Sequence, residues 1–371
     1  MLKNVTQIVS VGSVDGVLTS AALLRLIGRS EVGLQFTQAF TVDKVDPSKW
    51  PAGQKVALVD LAVNNRDKAM TAAFVRRICE AGHEIVAIVD EHSREDWLEV
   101  LGTFEGLIVE PQSQSEGTFK SSGAVLKAAI GLEADDHTVE LLDAADAGDR
   151  MDFSTRFGGM VNQAVKSDIA NDQRRVYLAR HFAATAEPDA TILGWVAEYE
   201  AILADHDKIV AEKVNLGLGI VWVSTIGRKV DMTTLMARLY EDGAKVVVCE
   251  GEMFVPAIKA KKVMIAFGTS DKSLNLLAIV KASVSTASGF AQKVNVDPEH
   301  EEAALAAIRS ALLIGQCYET DGDDDLKFLR WGQEIVVNGR RYRGVGDQFP
   351  GAPDEVEEGA YAQYAQDMGP A

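Results

Sequence analysis

Cysteine is scarce in this 371-residue sequence: Cys79, Cys249 and Cys317 are far apart and odd in number. That excludes a disulfide framework and a metal cluster with recognisable cysteine spacing, and it points to a reducing compartment. Long apolar runs are missing as well. No stretch reaches the ~18 apolar residues that span a bilayer, and the opening Met1-Leu2-Lys3-Asn4-Val5 lacks the apolar run of a signal peptide, so a cytoplasmic protein without membrane association is expected. Positive charge is short: 37 Lys and Arg face 55 Asp and Glu, a formal net charge of -18. Such a field opposes long nucleic acid, whose affinity rests on neutralising phosphates, and better suits small anions held through a metal. There is no internal repeat.

The chain is 47% hydrophobic, enough to bury two cores, since single cores stop growing near roughly 250 to 300 residues. Short apolar runs (7–10, 34–40, 55–61, 84–90 and 106–109) alternate with amphipathic segments (20–27, 67–81 and 121–130). This is the βαβ rhythm of a parallel sheet covered on both faces. Residues 136–207 read as mostly helical, with Gly158-Gly159 as a break. A second β-rich unit starts at Leu216, with apolar runs at 216–223, 245–249, 262–267 and 287–295 and helices at 232–241 and 298–313. Asn338-Gly339 between alternating runs signals a hairpin, and the sequence from Pro350 has the composition of a poorly ordered acidic tail. The expected class is α/β, a parallel-sheet domain followed by a smaller α/β domain with a cleft between them. The expected domains are 1–190, including a helical linker region, 216–315, and a C-terminal hairpin and tail over 316–371.

Carboxylates recur where an open α/β sheet places its chemistry, at the carboxyl ends of strands. Asp15-Gly16 follows the first run, with a helix expected from about Thr19-Ser20. Asp60 ends the third run, Asp90-Glu91-His92 ends the fourth, and Asp143, Asp146 and Asp149 lie on a helix. Converging carboxylates repel and raise one another's pKa unless a cation neutralises them. Oxygen ligands with one imidazole suit Mn²⁺ or Mg²⁺, whose chemistry at such sites is phosphoester hydrolysis. Each residue also has an ordinary role open to it. An Asp after a strand serves as a helix N-cap, His92 as a solvated loop residue, and the three helical aspartates as an acidic face of which at most one or two reach a site.

The order Asp15-Gly16, Val59-Asp60, Val89-Asp90-Glu91-His92 and Ala144-Ala145-Asp146-Ala147-Gly148-Asp149 resembles the four successive motifs of the DHH phosphoesterase superfamily. Thr286-Ala287-Ser288-Gly289-Phe290 and the following helix are similar to the end of that family's companion substrate-binding domain, DHHA1. The resemblance spans about residues 5–315. It implies one Mn²⁺ or Mg²⁺ ion held by Asp15, Asp60, Glu91 and Asp146 or Asp149. It places His92, with Asp90, at the phosphate as the catalytic pair, and makes Ser121, Ser122, Lys281, Ser288 and Gly289 substrate contacts. A helix N-terminus behind Ser121-Ser122 suits a bound anion, and Lys281 would act as a point charge, although an ordinary surface lysine has the same appearance.

The departures are as specific as the matches. The family's first motif carries a His and an Asp ahead of Asp-Gly, where this chain has Val11 (or Val9) and Ser13. Glu91 replaces an imidazole, and Lys281-Ala282-Ser283-Val284-Ser285 stands where a glycine-rich loop with a His is expected. An Arg expected upstream has no counterpart near Thr269-Ser270-Asp271. The resemblance therefore implies a metal-dependent phosphoesterase of small phosphoesters or short oligonucleotides with a degenerate site. The alternative is a catalytically inactive relative that binds a nucleotide or a partner protein. Val14-Asp15-Gly16-Val17-Leu18-Thr19-Ser20 also looks like the first motif of haloacid dehalogenase-type phosphatases, but their nucleophilic Asp would be Ser13, which cannot form an aspartyl phosphate. Gly12 and Gly16 lack the spacing of a dinucleotide fingerprint. The sequence leaves homo-oligomerisation open.

Overall fold

The computed structural model describes residues 2–64, 67–102, 107–109, 121–131, 134–255, 260–320, 334–337 and 340–343. The acidic run 321–325, the Asn338-Gly339 turn and the tail from Pro350 lie outside the described residues. The chain divides into two compact units, Met1–Ala201 and Ile202–Ala371.

The first unit holds a five-stranded parallel sheet in the order β2-β1-β3-β4-β5: β1 Gln7–Val11, β2 Gly33–Thr37, β3 Lys55–Val59, β4 Glu84–Asp90 and β5 Leu107–Val109. Strand order reverses between β1 and β3, so their carboxyl ends open a crevice at the switch point. The strands read as continuous apolar runs because both faces are covered. Ile8, Ala57, Val59, Ala87 and Val89 pack under α1 (Val14–Ile27), α4 (Ser122–Ile130), α5 (Asp136–Asp149), α6 (Arg156–Lys166) and α7 (Asp172–Ala184). Val9, Val56, Leu58, Ile85 and Ile88 pack under α2 (Lys68–Glu80) and α3 (Arg94–Leu101). A register shift against Val56 and Ala57 pairs Ile85 and then Ala87 with successive residues, so the extra residue resets the in-out alternation before β4 ends.

Several boundaries differ from the sequence reading. The run 34–40 is a strand only to Thr37; Ala39–Lys44 is a 3-10 segment, with Phe40 exposed. Gly158-Gly159 does not break a helix. It lies in the first turn of α6, behind Thr155 as N-cap, where the early N–H groups need no intrahelical partner.

In the second unit a six-stranded mixed sheet runs β10-β11-β9-β8-β7-β6, with only β7 and β8 parallel. Its strands are β6 Val214–Gly217, β7 Ile220–Ser224, β8 Val246–Val255, β9 Ala260–Thr269, β10 Ser288–Phe290 and β11 Lys293–Val296. One face packs on α10 (Leu276–Lys281) and α11 (Glu301–Thr320), the other on α9 (Met232–Glu241) and the end of α8 (Ala190–Ala211). The run 216–223 is a hairpin rather than one strand, because Gly217, Leu218 and Gly219 all take positive φ and turn the chain. The run 287–295 likewise folds back between Phe290 and Lys293. A separate two-stranded hairpin pairs β12 (Glu334–Val337) with β13 (Arg340–Arg343). No described helix is long and apolar enough to cross a membrane.

Candidate metal centre

α1 begins at Val14 and not near Thr19, because the Ser13 hydroxyl accepts the Gly16 N–H at 2.8 Å and caps the helix directly after β1. Asp15 therefore lies in the first helical turn, where the helix dipole favours a carboxylate. Gly16 permits this approach. A Cβ there would stand 2.2 Å from the Val11 carbonyl oxygen and 3.0 Å from Asp60 Oδ2.

Asp60, one residue beyond β3, has φ 53°, a left-handed conformation that costs most residues energy and that Asp tolerates better than most. Its N–H donates to the Val89 carbonyl at 2.9 Å, fastening the ends of β3 and β4 together. Its Oδ2 accepts the Ser13 hydroxyl. The hydroxyl at the position of the dehalogenase nucleophile is thus engaged with Asp60.

Asp90, at the end of β4, is fully buried. One oxygen lies 2.6 Å from His92 Nδ1 and the other accepts the indole N–H of buried Trp97 at 2.8 Å. Both oxygens are engaged, so Asp90 serves to orient His92. Glu91 is 2% exposed; its Oε2 accepts the Ser122 hydroxyl at 2.9 Å and its Oε1 lies 3.3 Å from His92 Nδ1.

The N-terminus of α4 meets these acids. Asp15 Oδ2 accepts the Ser122 N–H at 2.9 Å, and Oδ1 accepts the Gly123 N–H at 3.0 Å and the Thr19 hydroxyl at 2.8 Å. Ser121 Oγ accepts the Ala124 N–H and donates to Asp146 at 2.9 Å. The donors that the resemblance gives to a bound anion are here turned onto the chain's own carboxylates. Asp146 also pairs with Arg150. Asp149 keeps one buried oxygen, Oδ2, without a hydrogen-bond partner. Asp143 is exposed and pairs with Lys127, so the acidic face of α5 sends Asp146 and Asp149 to the site and Asp143 away from it.

Single ligand atoms of Asp15, Glu91 and Asp149 lie within 4.8 Å of one another, as do those of Asp60, Asp90, Glu91 and His92; Glu91 joins the two groups. The electrostatic consequence is severe. Burial first, then the charge of Glu91, pushes Asp15 up to about 8. Burial, Asp15 and Glu91 raise Asp60 well above the carboxylate range. Burial and Asp90 push Glu91 up to about 7, and burial raises Asp149. Burial opposes the charged form of His92, yet the hydrogen bond to Asp90 and the charges of Asp90, Glu91 and Asp149 outweigh it and carry His92 up to about 9. Hard oxygen donors, a deficit of positive charge and an orphaned buried Asp149 oxygen fit a divalent cation.

Two supporting residues carry no spacing signal. Buried Arg175 of α7 donates from Nε to the Gly12 carbonyl at 3.0 Å and so holds the β1–α1 turn. Trp97 of α3 anchors Asp90. Lys281, at the end of α10, and Ser288 and Gly289, in the edge strand β10, are exposed residues of the second unit, whereas the carboxylate cluster lies wholly in the first.

No protein-family model matches the sequence, and no curated protein matches it. Solved structures do. The pGpG-specific phosphodiesterase PggH from Vibrio cholerae is 13% identical over 83% of this chain and 98% of its own, with a TM-score of 0.53. The two chains share a fold. RecJ from Thermus thermophilus in complex with Mn²⁺ is 12% identical over 83% of this chain and 52% of its own, with a TM-score of 0.49. The PF0399 DHH domain is 12% identical over 84% of this chain and 87% of its own, with a TM-score of 0.47.

Proposed function

We propose that the protein is a divalent-cation-dependent phosphoesterase acting on small phosphodiesters or oligonucleotides of a few residues. In this reading, residues 1–190 hold one Mn²⁺ or Mg²⁺ ion through Asp15, Asp60 and Glu91 with Asp149 or Asp146. Residues 216–315, with Lys281, Ser288 and Gly289, contact substrate. The observation that carries it is the buried acid cluster around Glu91, with Asp149 Oδ2 unpartnered. The fold shared with a pGpG-specific phosphodiesterase supports the substrate class.

A cation at this site would neutralise phosphate oxygens and activate water. The chain's own groups supply the rest. Asp90 fixes His92 through Nδ1, which leaves Nε2 as the ring nitrogen free to face substrate. With its pKa raised to about 9, the imidazolium is protonated at neutral pH and is suited to give a proton to the leaving oxygen. Trp97 holds Asp90 in turn. The net charge of -18 restricts the reading to small ligands.

A second reading is favoured by one observation: Ser121 and Ser122 already donate to the chain's own Asp146, Asp15 and Glu91. That suits a lapsed enzyme that binds a nucleotide or a partner. The two readings separate in an assay of linear dinucleotides and short RNA and DNA oligomers with Mn²⁺, run on the wild type and on a Ser13→Asp, Glu91→His double variant. Slow wild-type turnover supports the hydrolase. An inert wild type whose double variant turns over supports the lapsed enzyme.

A further inference from the structure

The other end of the same helices carries a cluster of opposite sign. Arg25 lies in the last turn of α1, Arg29 two residues beyond its end and Arg180 near the end of α7, and with Leu24, Asp135 and Ala184 they line one recess of about 680 Å³. Ten residues of α1 separate Arg25 from Asp15, about 15 Å along the axis. α5 runs the same course, from its N-cap Asp135 at the recess to Asp146 and Asp149 at the carboxylates. The recess is therefore distinct from the cluster of the proposed active site.

Three guanidiniums share this space, and one carboxylate answers them. Asp135 takes Arg25 side-on, with Arg25 Nε 3.1 Å from both its oxygens and Nη2 2.5 Å from Oδ2. It also caps α5 through the Thr138 N–H and hydroxyl at 2.8 and 2.6 Å, so it has little capacity left. Arg29 Nη2 donates to the carbonyls of Lys3 and Val5 at 3.2 and 2.7 Å, and Arg180 donates to those of Ser30 and Val32 at 2.9 and 2.6 Å. Carbonyls fix the orientation of these two side chains without neutralising them, and among the described residues neither has a carboxylate partner. The nearby acid Glu31 is held by the Ser30 hydroxyl at 3.4 Å.

Two pre-oriented guanidiniums without a carboxylate partner stand beside a third, and their remaining N–H groups match phosphate oxygens. Their orientation is set before any ligand arrives, which lowers the entropy lost on binding. The volume falls within the range of small-ligand sites. We infer that this recess binds a small phosphate-bearing anion, independently of the carboxylate cluster and of whether the protein is a hydrolase.

The test is calorimetric titration of the metal-free full chain with inorganic phosphate and pyrophosphate, at ionic strength matched with chloride. The expected result is saturable binding of one anion, weakened at least about tenfold by Arg29→Gln with Arg180→Gln and unchanged by Asp60→Asn. Because removing the arginines also removes carbonyl contacts, Ala184→Glu provides a second variant. It adds an opposing charge at an exposed position and leaves those contacts in place, and it should weaken binding to the same extent. Absence of saturable binding to the wild type, or wild-type affinity in Ala184→Glu, overturns the inference.

Discussion

His92 is placed by a short series of single contacts, Trp97 to Asp90 and Asp90 to His92, and each is separately testable. Trp97→Phe keeps the ring's bulk but leaves a buried Asp90 oxygen without its donor, which should cost about 1–3 kcal/mol in thermal or denaturant unfolding. His92→Gln should lower phosphoesterase turnover by about 10² to 10⁴ while leaving Mn²⁺ affinity in calorimetry nearly unchanged, as expected for a proton donor that does not hold the ion. The acids give a pH dependence of definite sign. In the metal-free protein Asp15 keeps its proton up to about 8 and Glu91 up to about 7, whereas the unfolded chain releases them near 3.8 and 4.5. Between those limits the folded state binds more protons, so stability falls as pH rises from about 4 through about 8. Melting temperatures should follow that decline and should flatten when Mn²⁺ is added, because the ion replaces the protons.

Among the elements, α4 is the one whose position decides the site, since its first turn meets both Asp15 and Glu91. Gly123 allows it to lie against α5: a Cβ there would stand 2.7 Å from Ala145 Cβ and 2.8 Å from the Leu142 carbonyl oxygen. Gly123→Ala should destabilise the fold by about 1–3 kcal/mol and weaken Mn²⁺ binding together, as seen in unfolding and calorimetry. Elements with a strong local signature were legible in the sequence. α9 spans 232–241 as its pattern implies, β3 ends at Val59 directly before Asp60, and β4 ends at Asp90. The hairpin at 214–224 was not legible, because its turn residues Gly217, Leu218 and Gly219 lie inside an unbroken apolar run. The early start of α1 depends on Ser13 acting as cap, which an Asp-Gly pair reading as a turn conceals. The strand-end carboxylates announced the site, but Arg175 and Trp97 meet it through tertiary contacts that leave no spacing in the chain.

Over the whole molecule, charge sets what can approach. A net charge of -18 opposes phosphate polymers, so single strands of several dozen nucleotides should show no saturable binding in filter or mobility assays at physiological salt. In the first unit, four buried acids and Asp149 surround one imidazole. A cluster built for a divalent ion should take up Mn²⁺ when the metal-free protein is titrated calorimetrically at neutral pH, with Asp60→Asn in parallel. One ion per chain, bound with proton release and weakened at least about tenfold by the substitution, is the result predicted. No binding, or binding that Asp60→Asn leaves unchanged, contradicts it.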